Sequence, residues 1–278
     1  MRYQPLSGEV SLLPALAGAE PIRNRVLVVV AHPDDETLGL GAQLGRFRDA
    51  LLLHLTDGAP ADGADARRSG FASVADYAAA RRRELSAALA EGEAAHLRTA
   101  ALGIPDQQTV HGLAAATRRL IAHMTEERPR AVLTHAYEGG HPDHDAAAFA
   151  VHAACAGLAT EQRPEIIEFP LYHAEHGALR AGCFIEPAAG EIAVRLDRVA
   201  LARKWRMVEC FATQRDFIGR LSLTPERFRP APVYDFTRPP HPRTLLYETF
   251  GWRLTGETWR AEAAKAIRAL GFAPVECA

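Results

Sequence analysis

The sequence predicts an α/β fold, a mostly parallel sheet with helices packed on both faces. Three observations predict it. Residues 25–32, RVLVVVAH, form an unbroken apolar run rich in β-branched residues, the pattern of a strand buried on both sides. Strand-like and helix-like stretches then alternate along the first 160 residues. Twice, at 28–41 and at 130–158, an apolar strand runs directly into histidines and carboxylates and then into a helix built of small residues.

The elements follow in order. The first strand, 25–32, ends at His32. Pro33 suits a first helical turn, and the acids behind it suit the positive end of a helix dipole, so 33–47 leads into a helix. Residues 50–58 read as a second buried strand that completes a βαβ unit. An alanine-rich helix is expected over 74–92, a short strand within 95–106 and an amphipathic helix over 112–129, stopped by a proline. Beyond about residue 160 the pattern loosens into one or two strands, one good helix within 191–214 and a proline-rich tail. The expectation is a single domain over 1–278, with a core at 22–215 and a carboxyl-terminal extension at 216–278 packed onto it. In such sheets the ligand crevice lies beyond the carboxyl ends of the strands.

Composition narrows the functional classes. With 48% hydrophobic and 24% charged residues, the chain has the make-up of a globular protein rather than a disordered or fibrous one. Its net charge is -2 and its basic residues are scattered, which argues against a nucleic-acid partner. Cys155, Cys183, Cys210 and Cys277 lie too far apart for a CxxC motif or a disulfide framework and are expected to be reduced, mostly in the core. No apolar stretch approaches the roughly 18–20 residues of a membrane span. Pro14 interrupts the apolar patch at 10–19 and no basic segment precedes it, so no signal peptide and a cytoplasmic location are expected. The sequence leaves the oligomeric state open. Gly39, Gly41 and Gly45 superficially suggest a dinucleotide loop, but the acidic cluster separates them from the strand, which argues against it.

The chemistry sits where the strands end. His32 and Asp35 are three apart and share one side of a helical turn, whereas Asp34 points elsewhere; His141 and His144 repeat the spacing. Either cluster alone would read as helix capping or as structural histidine. Two of them, each at a strand end, point to one site. Imidazole and carboxylate together suit zinc, with ferrous iron an alternative, and three protein ligands plus water make an open, catalytic centre. On spacing alone His141 could equally be a fourth ligand; His135 and Tyr137 could line the pocket, and His135 is near enough to be a spare ligand.

AHPDDE at 31–36 together with GHPDH at 140–144 resembles the paired signature of the PIG-L/LmbE-like family, zinc-dependent enzymes that remove acetyl groups from N-acetylated amino sugars. The likeness extends more loosely to LTDG, RRREL, LGIPD and KWRMVECFATQ, and so across most of the first 215 residues. It implies a Rossmann-like three-layer sandwich. It also implies that His32, Asp35 and His144 are metal ligands and that Asp34 is the general base taking a proton from the attacking water. His141 would be a protonated oxyanion stabiliser, with Asp143 holding its ring. Arg81 and Asp106 would contact the sugar or order its pocket. Some relatives carry an aromatic residue just before HPDH, where this chain has Gly139 and Gly140.

The expected function is therefore metal-dependent hydrolysis of the N-acetyl amide of an amino-sugar-containing small molecule or glycan precursor, releasing acetate and a free amine. Two alternatives stand beside it: an amidase acting on a larger conjugate, and a non-catalytic sugar-binding protein of the same fold. Trp205, Trp252 and Trp259 could stack on sugar rings, although tryptophans so widely spaced are more often core residues.

Overall fold

A computed structural model describes residues 11–272. In chain order the elements are α1 (Leu13–Ala17), β1 (Ile22–Val30), α2 (Asp35–Leu44), β2 (Phe47–Pro60), α3 (Ala64–Arg68), α4 (Val74–Glu91), β3 (Arg98–Asp106), α5 (Leu113–Glu127), β4 (Ala131–His135) and α6 (Pro142–Gly157). They continue with β5 (Glu165–Phe169), β6 (Tyr172–Glu175), β7 (Ala178–Ala181), β8 (Ile192–Val194), α7 (Arg198–Glu209), α8 (Arg215–Ile218), β9 (Glu226–Pro230) and α9 (Gly256–Ala269). One seven-stranded sheet runs in the order β3-β2-β1-β4-β5-β9-β8, with β6 and β7 forming a separate hairpin. The first five of its strands are mutually parallel; β9 joins β5, and β8 joins β9, antiparallel.

The layers follow from the pleat of β1. Val26, Val28 and Val30 face one core with Leu40 and Leu44 of α2, Leu89 of α4 and Met207 of α7. Leu27 and Val29 face the other, with Leu120 of α5 and Ala150 and Val151 of α6. Because successive side chains point to opposite faces, only a continuously apolar strand serves both cores at once. The three-layer expectation is met. The described part of the extension, residues 216–272, does more than pack on the outside: β9 is a strand of the main sheet, and Trp259 of α9, fully buried beside Phe149 and Tyr137, donates its indole N–H to the Pro142 carbonyl at 3.0 Å.

Helix α2, which follows the first motif, is broken at Leu40 (φ -145°, ψ 26°). In a regular helix the Leu38 carbonyl would accept from the Ala42 N–H. Here a buried ion pair stands between them. Lys204 Nζ donates to Leu38 O at 2.7 Å and to Glu226 Oε1 at 2.7 Å, and the same Oε1 accepts the Ala42 N–H at 2.9 Å. Gln43 Nε2 donates to the other oxygen of Glu226 at 2.9 Å, so both charges are partnered although the two side chains are almost wholly inaccessible. The pair thus rejoins, through α7 and β9, the hydrogen bond that the kink opens.

The remaining expectations divide. Among the described residues no helix is long and apolar enough to cross a membrane. The three described cysteines are free, but only Cys155 is buried, Cys183 and Cys210 being half-buried; Cys277 lies outside the described residues.

Candidate metal centre and substrate cleft

In this strand order the chain winds outward from β1 to β2 and β3, then returns to place β4 on the other flank of β1. The gap opened between the connections after β1 and β4 is the position at which doubly wound sheets bind ligands. Pairing of β1 stops at Val29–Thr134 on one side and at Val30–His54 on the other. The expected strand therefore ends two residues early, which frees His32 from the ladder. β3 ends at Asp106 and β4 at His135, and α6 begins directly after His141, with Pro142 in its first turn. The two distant motifs and the end of β3 thereby meet in one crevice.

Asp35 lies at the centre. Its Oδ2 accepts the His32 backbone N–H at 2.7 Å and lies 3.3 Å from His32 Nδ1, while its Oδ1 lies 3.3 Å from His144 Nε2. That His144 nitrogen is buried and has no hydrogen-bond partner. A tetrahedron built on bonds of about 2.0–2.1 Å to nitrogen and oxygen has edges of roughly 3.3–3.4 Å; each spacing alone matches such an edge, although the two fall on different oxygens of Asp35, and the donor set suits a zinc-like ion. Three overlapping sets bring one donor atom per residue within 4.8 Å of one another: His32, His141 and His144; Asp35, His135 and His144; and His32, Asp106, His141 and Asp143. The cluster can hold a divalent metal.

His135 stacks on His144, with ring centroids 4.2 Å apart and planes 4° from parallel, and its Nε2 lies 3.3 Å from Asp35. That nitrogen already accepts the Ala31 N–H at 3.1 Å. Its lone pair is thus engaged, which makes His135 a wall of the site rather than a free ligand.

Asp34 turns away from this group, as its place between His32 and Asp35 predicts. Its Oδ2 accepts from Arg81 Nη2 at 3.1 Å, and the same guanidinium nitrogen donates to Pro33 O at 3.0 Å. Arg81, 2% exposed, therefore holds Asp34 and the turn before it. Burial pushes the Asp34 carboxyl up to about 8 against the opposing pull of Arg81. Burial likewise opposes the charge of Asp35, yet His144, His135 and His32 together hold its carboxyl well below the usual range.

Asp106 is engaged with the first motif. Its Oδ1 pairs with His32 Nε2 at 2.9 Å, on the side of the ring opposite Asp35, and it lines the cleft as well. Burial works against a charged His32, but Asp106 and then Asp35 raise it well above its ordinary value.

Two expectations about the second motif change. Asp143 does not hold the His141 ring. Its carboxylate accepts the N–H groups of Gln107 and Thr109, at 2.5 and 3.2 Å, and lies 3.5 Å from His32 Nε2, because the loop after β3 brings unsatisfied amides directly above it. The link to His141 runs the other way, the Asp143 backbone N–H donating to His141 Nδ1 at 3.1 Å as an N-cap. His141 is held neutral rather than cationic, since burial and the neighbouring His32 push it down to about 3. With Nδ1 accepting, the ring proton sits on Nε2, 3.8 Å from Asp106 Oδ1.

A cleft of about 390 Å3 opens over these groups. His32, Asp34, Asp35, Asp106 and His141 form its polar side, and Leu38, Tyr172, Phe217, Ile218, Phe250 and Trp252 its apolar side. The sequence reading missed Tyr172, Phe217, Ile218 and Phe250, which sit in segments without periodicity. Trp252 does line the cleft, edge-on to His141 at 5.1 Å, whereas Trp259 is core and Trp205 lies on the surface. Tyr137 is buried under α9 and does not line the cleft. Where some relatives carry an aromatic residue before HPDH, a Cβ on Gly140 would lie 1.9 Å from the Tyr172 carbonyl. The space above His144 is filled instead by the Tyr172 ring, 5.1 Å away. A second cleft of about 420 Å3, around Ser11, Arg128, Arg163 and Glu165, lies at the amino ends of the strands and contains none of these groups.

A parallel α/β sheet with a buried histidine–aspartate cluster at its carboxyl edge, able to hold a divalent ion, defines the class. Residues 27–155 match the family model PIG-L, described as GlcNAc-PI de-N-acetylase. No curated protein matches the sequence. The fold is shared with a deacetylase of the teicoplanin biosynthesis pathway, at 19% identity and a TM-score of 0.58 over 74% of this chain and 97% of that one. It is also shared with the A40926 pseudoaglycone deacetylase, at 23% identity and a TM-score of 0.55 over 72% of this chain and 86% of that one.

Proposed function

We propose that the protein is a single-domain, metal-dependent N-deacetylase that hydrolyses the N-acetyl amide of an amino-sugar substrate. The observation that carries the reading is the Asp35 carboxylate set between two imidazole nitrogens at 3.3 Å, beside a second carboxylate held off by Arg81. His32 Nδ1, Asp35 and His144 Nε2 would hold the ion, zinc by default. Bound there, it would lower the pKa of a water toward about 7 and polarise the amide carbonyl.

The chain's own groups do the rest. Asp34, aimed by Arg81, takes the proton of the attacking water in its carboxylate form, so turnover is expected to rise as pH climbs toward about 8. His141 Nε2–H donates to the oxygen on which negative charge develops, a class of contact worth about 3–4 kcal/mol when one donor is removed. Tyr172 and Trp252 enclose the reacting amide and exclude solvent. Release of acetate from a panel of N-acetyl sugars, abolished by a chelator and restored by metal, is the expected result. Acetate release unaffected by metal removal would contradict the mechanism, and sugar binding without any acetate would favour the non-catalytic alternative.

Asp106 and Asp143 orient the ring of His32 from its far side, as outer carboxylates do for metal-ligating histidines. Replacing such a group weakens metal binding by about 10–100-fold. Asp106→Asn is therefore expected to lower metal affinity, read by competition with a chromophoric chelator. A rise in KM alone, with metal affinity intact, would make Asp106 a substrate contact instead.

A further inference from the structure

The turn that carries Asp34 is strained, and two buried polar groups without a part in the proposed reaction stand beneath it. Asp34 has φ 156° and ψ -25°, a region that residues with a side chain rarely adopt and that persists only where the surroundings enforce it. Arg81 grips the turn from one side, through Pro33 O and Asp34 Oδ2. Glu36 and His54 hold it from the other. The Asp34 N–H, bonded to His32 O at 3.0 Å, is shared with Glu36 Oε2 at 3.3 Å, and His54 Nε2 donates to that same oxygen at 3.0 Å. Thr37 Oγ1 donates to Glu36 Oε1 at 2.7 Å, so both carboxylate oxygens are engaged.

The pleat explains how His54 reaches this place. It pairs with Val30 in the ladder of β1 with β2 and points, like Ala50 and Leu52, to the core shared with α2. The alternation calls for another apolar side chain there. Instead Glu36 is wholly buried and His54 is 2% exposed. A buried polar pair of this kind seldom adds stability over apolar residues of like volume, but its directed bonds fix one geometry.

We propose that, given the deacetylase reading, Glu36 and His54 are positioning residues for Asp34: they hold the strained turn so that its carboxylate faces the attacking water. The test replaces both, Glu36→Met with His54→Leu, which strands no charge, on the metal-loaded full chain. kcat for acetate release is expected to fall about 10–100-fold, the loss that a displacement of about 1 Å at the reacting atoms brings, with KM, metal content and unfolding midpoint close to wild type. His54→Gln, which keeps a donor, should recover most of the turnover that His54→Leu loses. In an Asp34→Asn background the paired replacement should cost less than about twofold more, because residues that act through one group are not additive. Losses that multiply, or that track metal content or unfolding midpoint, would overturn the inference while leaving the deacetylase standing.

A crystal structure of the paired variant tests the geometry whatever the chain hydrolyses. Asp34 is expected to leave the positive-φ region, and an unchanged turn would sink the inference. A relaxed turn in a protein whose wild type releases no acetate would keep the positioning role and sink the hydrolase.

Discussion

Asp34→Asn is expected to lower kcat by about 10²–10⁴-fold, the usual range for a lost general base, while leaving the metal bound. Asparagine keeps an oxygen for the Arg81 guanidinium, which otherwise donates to Asp34 Oδ2 at 3.1 Å and would lose a buried partner. Only the proton acceptor is removed. His144→Ala should do the opposite first: it removes the nitrogen 3.3 Å from Asp35 Oδ1, so metal per chain falls before any kinetic question arises. The pair is read by elemental analysis beside acetate release. Equal metal loss in both variants would make Asp34 a ligand and leave the site without a base. Full turnover in Asp34→Asn would require another group to accept the proton.

The second large effect lies away from the chemistry. Lys204→Met leaves Glu226 buried without its cation, a change that costs about 3–5 kcal/mol in comparable buried pairs. It also strips Leu38 O of the donor that bridges the kink in α2. A clear drop in unfolding midpoint is expected. Adding Glu226→Gln removes the stranded charge yet keeps an acceptor for the Ala42 N–H, so the double variant should recover part of the loss. A double variant no more stable than Lys204→Met would mean that stranded charge is not the cause.

Both motifs were legible because their information is local. An apolar run alternating between two cores, a proline opening a helix and a histidine three residues from an acid or a second histidine are signals read within a few residues, and β1, α2 and α6 formed where those signals lie. The departures are long-range. Nothing near Arg81 announces a partner 47 positions away, nor anything near Asp106 one 74 away. The Asp143 carboxylate was assigned to a neighbour in sequence, but unpaired amides of the loop after β3 compete for it and win, since a buried N–H left unpaired is costly. The histidines of the second motif were expected to differ in charge, yet burial of both pushes His141 to about 3 and His144 to about 4. The apolar side of the cleft was invisible for another reason. Tyr172, Phe217 and Phe250 sit in short or irregular segments whose places are set by packing rather than by period.

The account stands on one ion held between the two motifs. Its most direct test is the metal content of protein purified without chelator, measured on the wild type and on Asp35→Ala at matched concentration. One zinc or iron per chain in the wild type, lost when the central carboxylate is removed, is the predicted result. A wild-type protein that binds no divalent metal at any concentration, or an Asp35→Ala variant that retains it in full, would contradict the account.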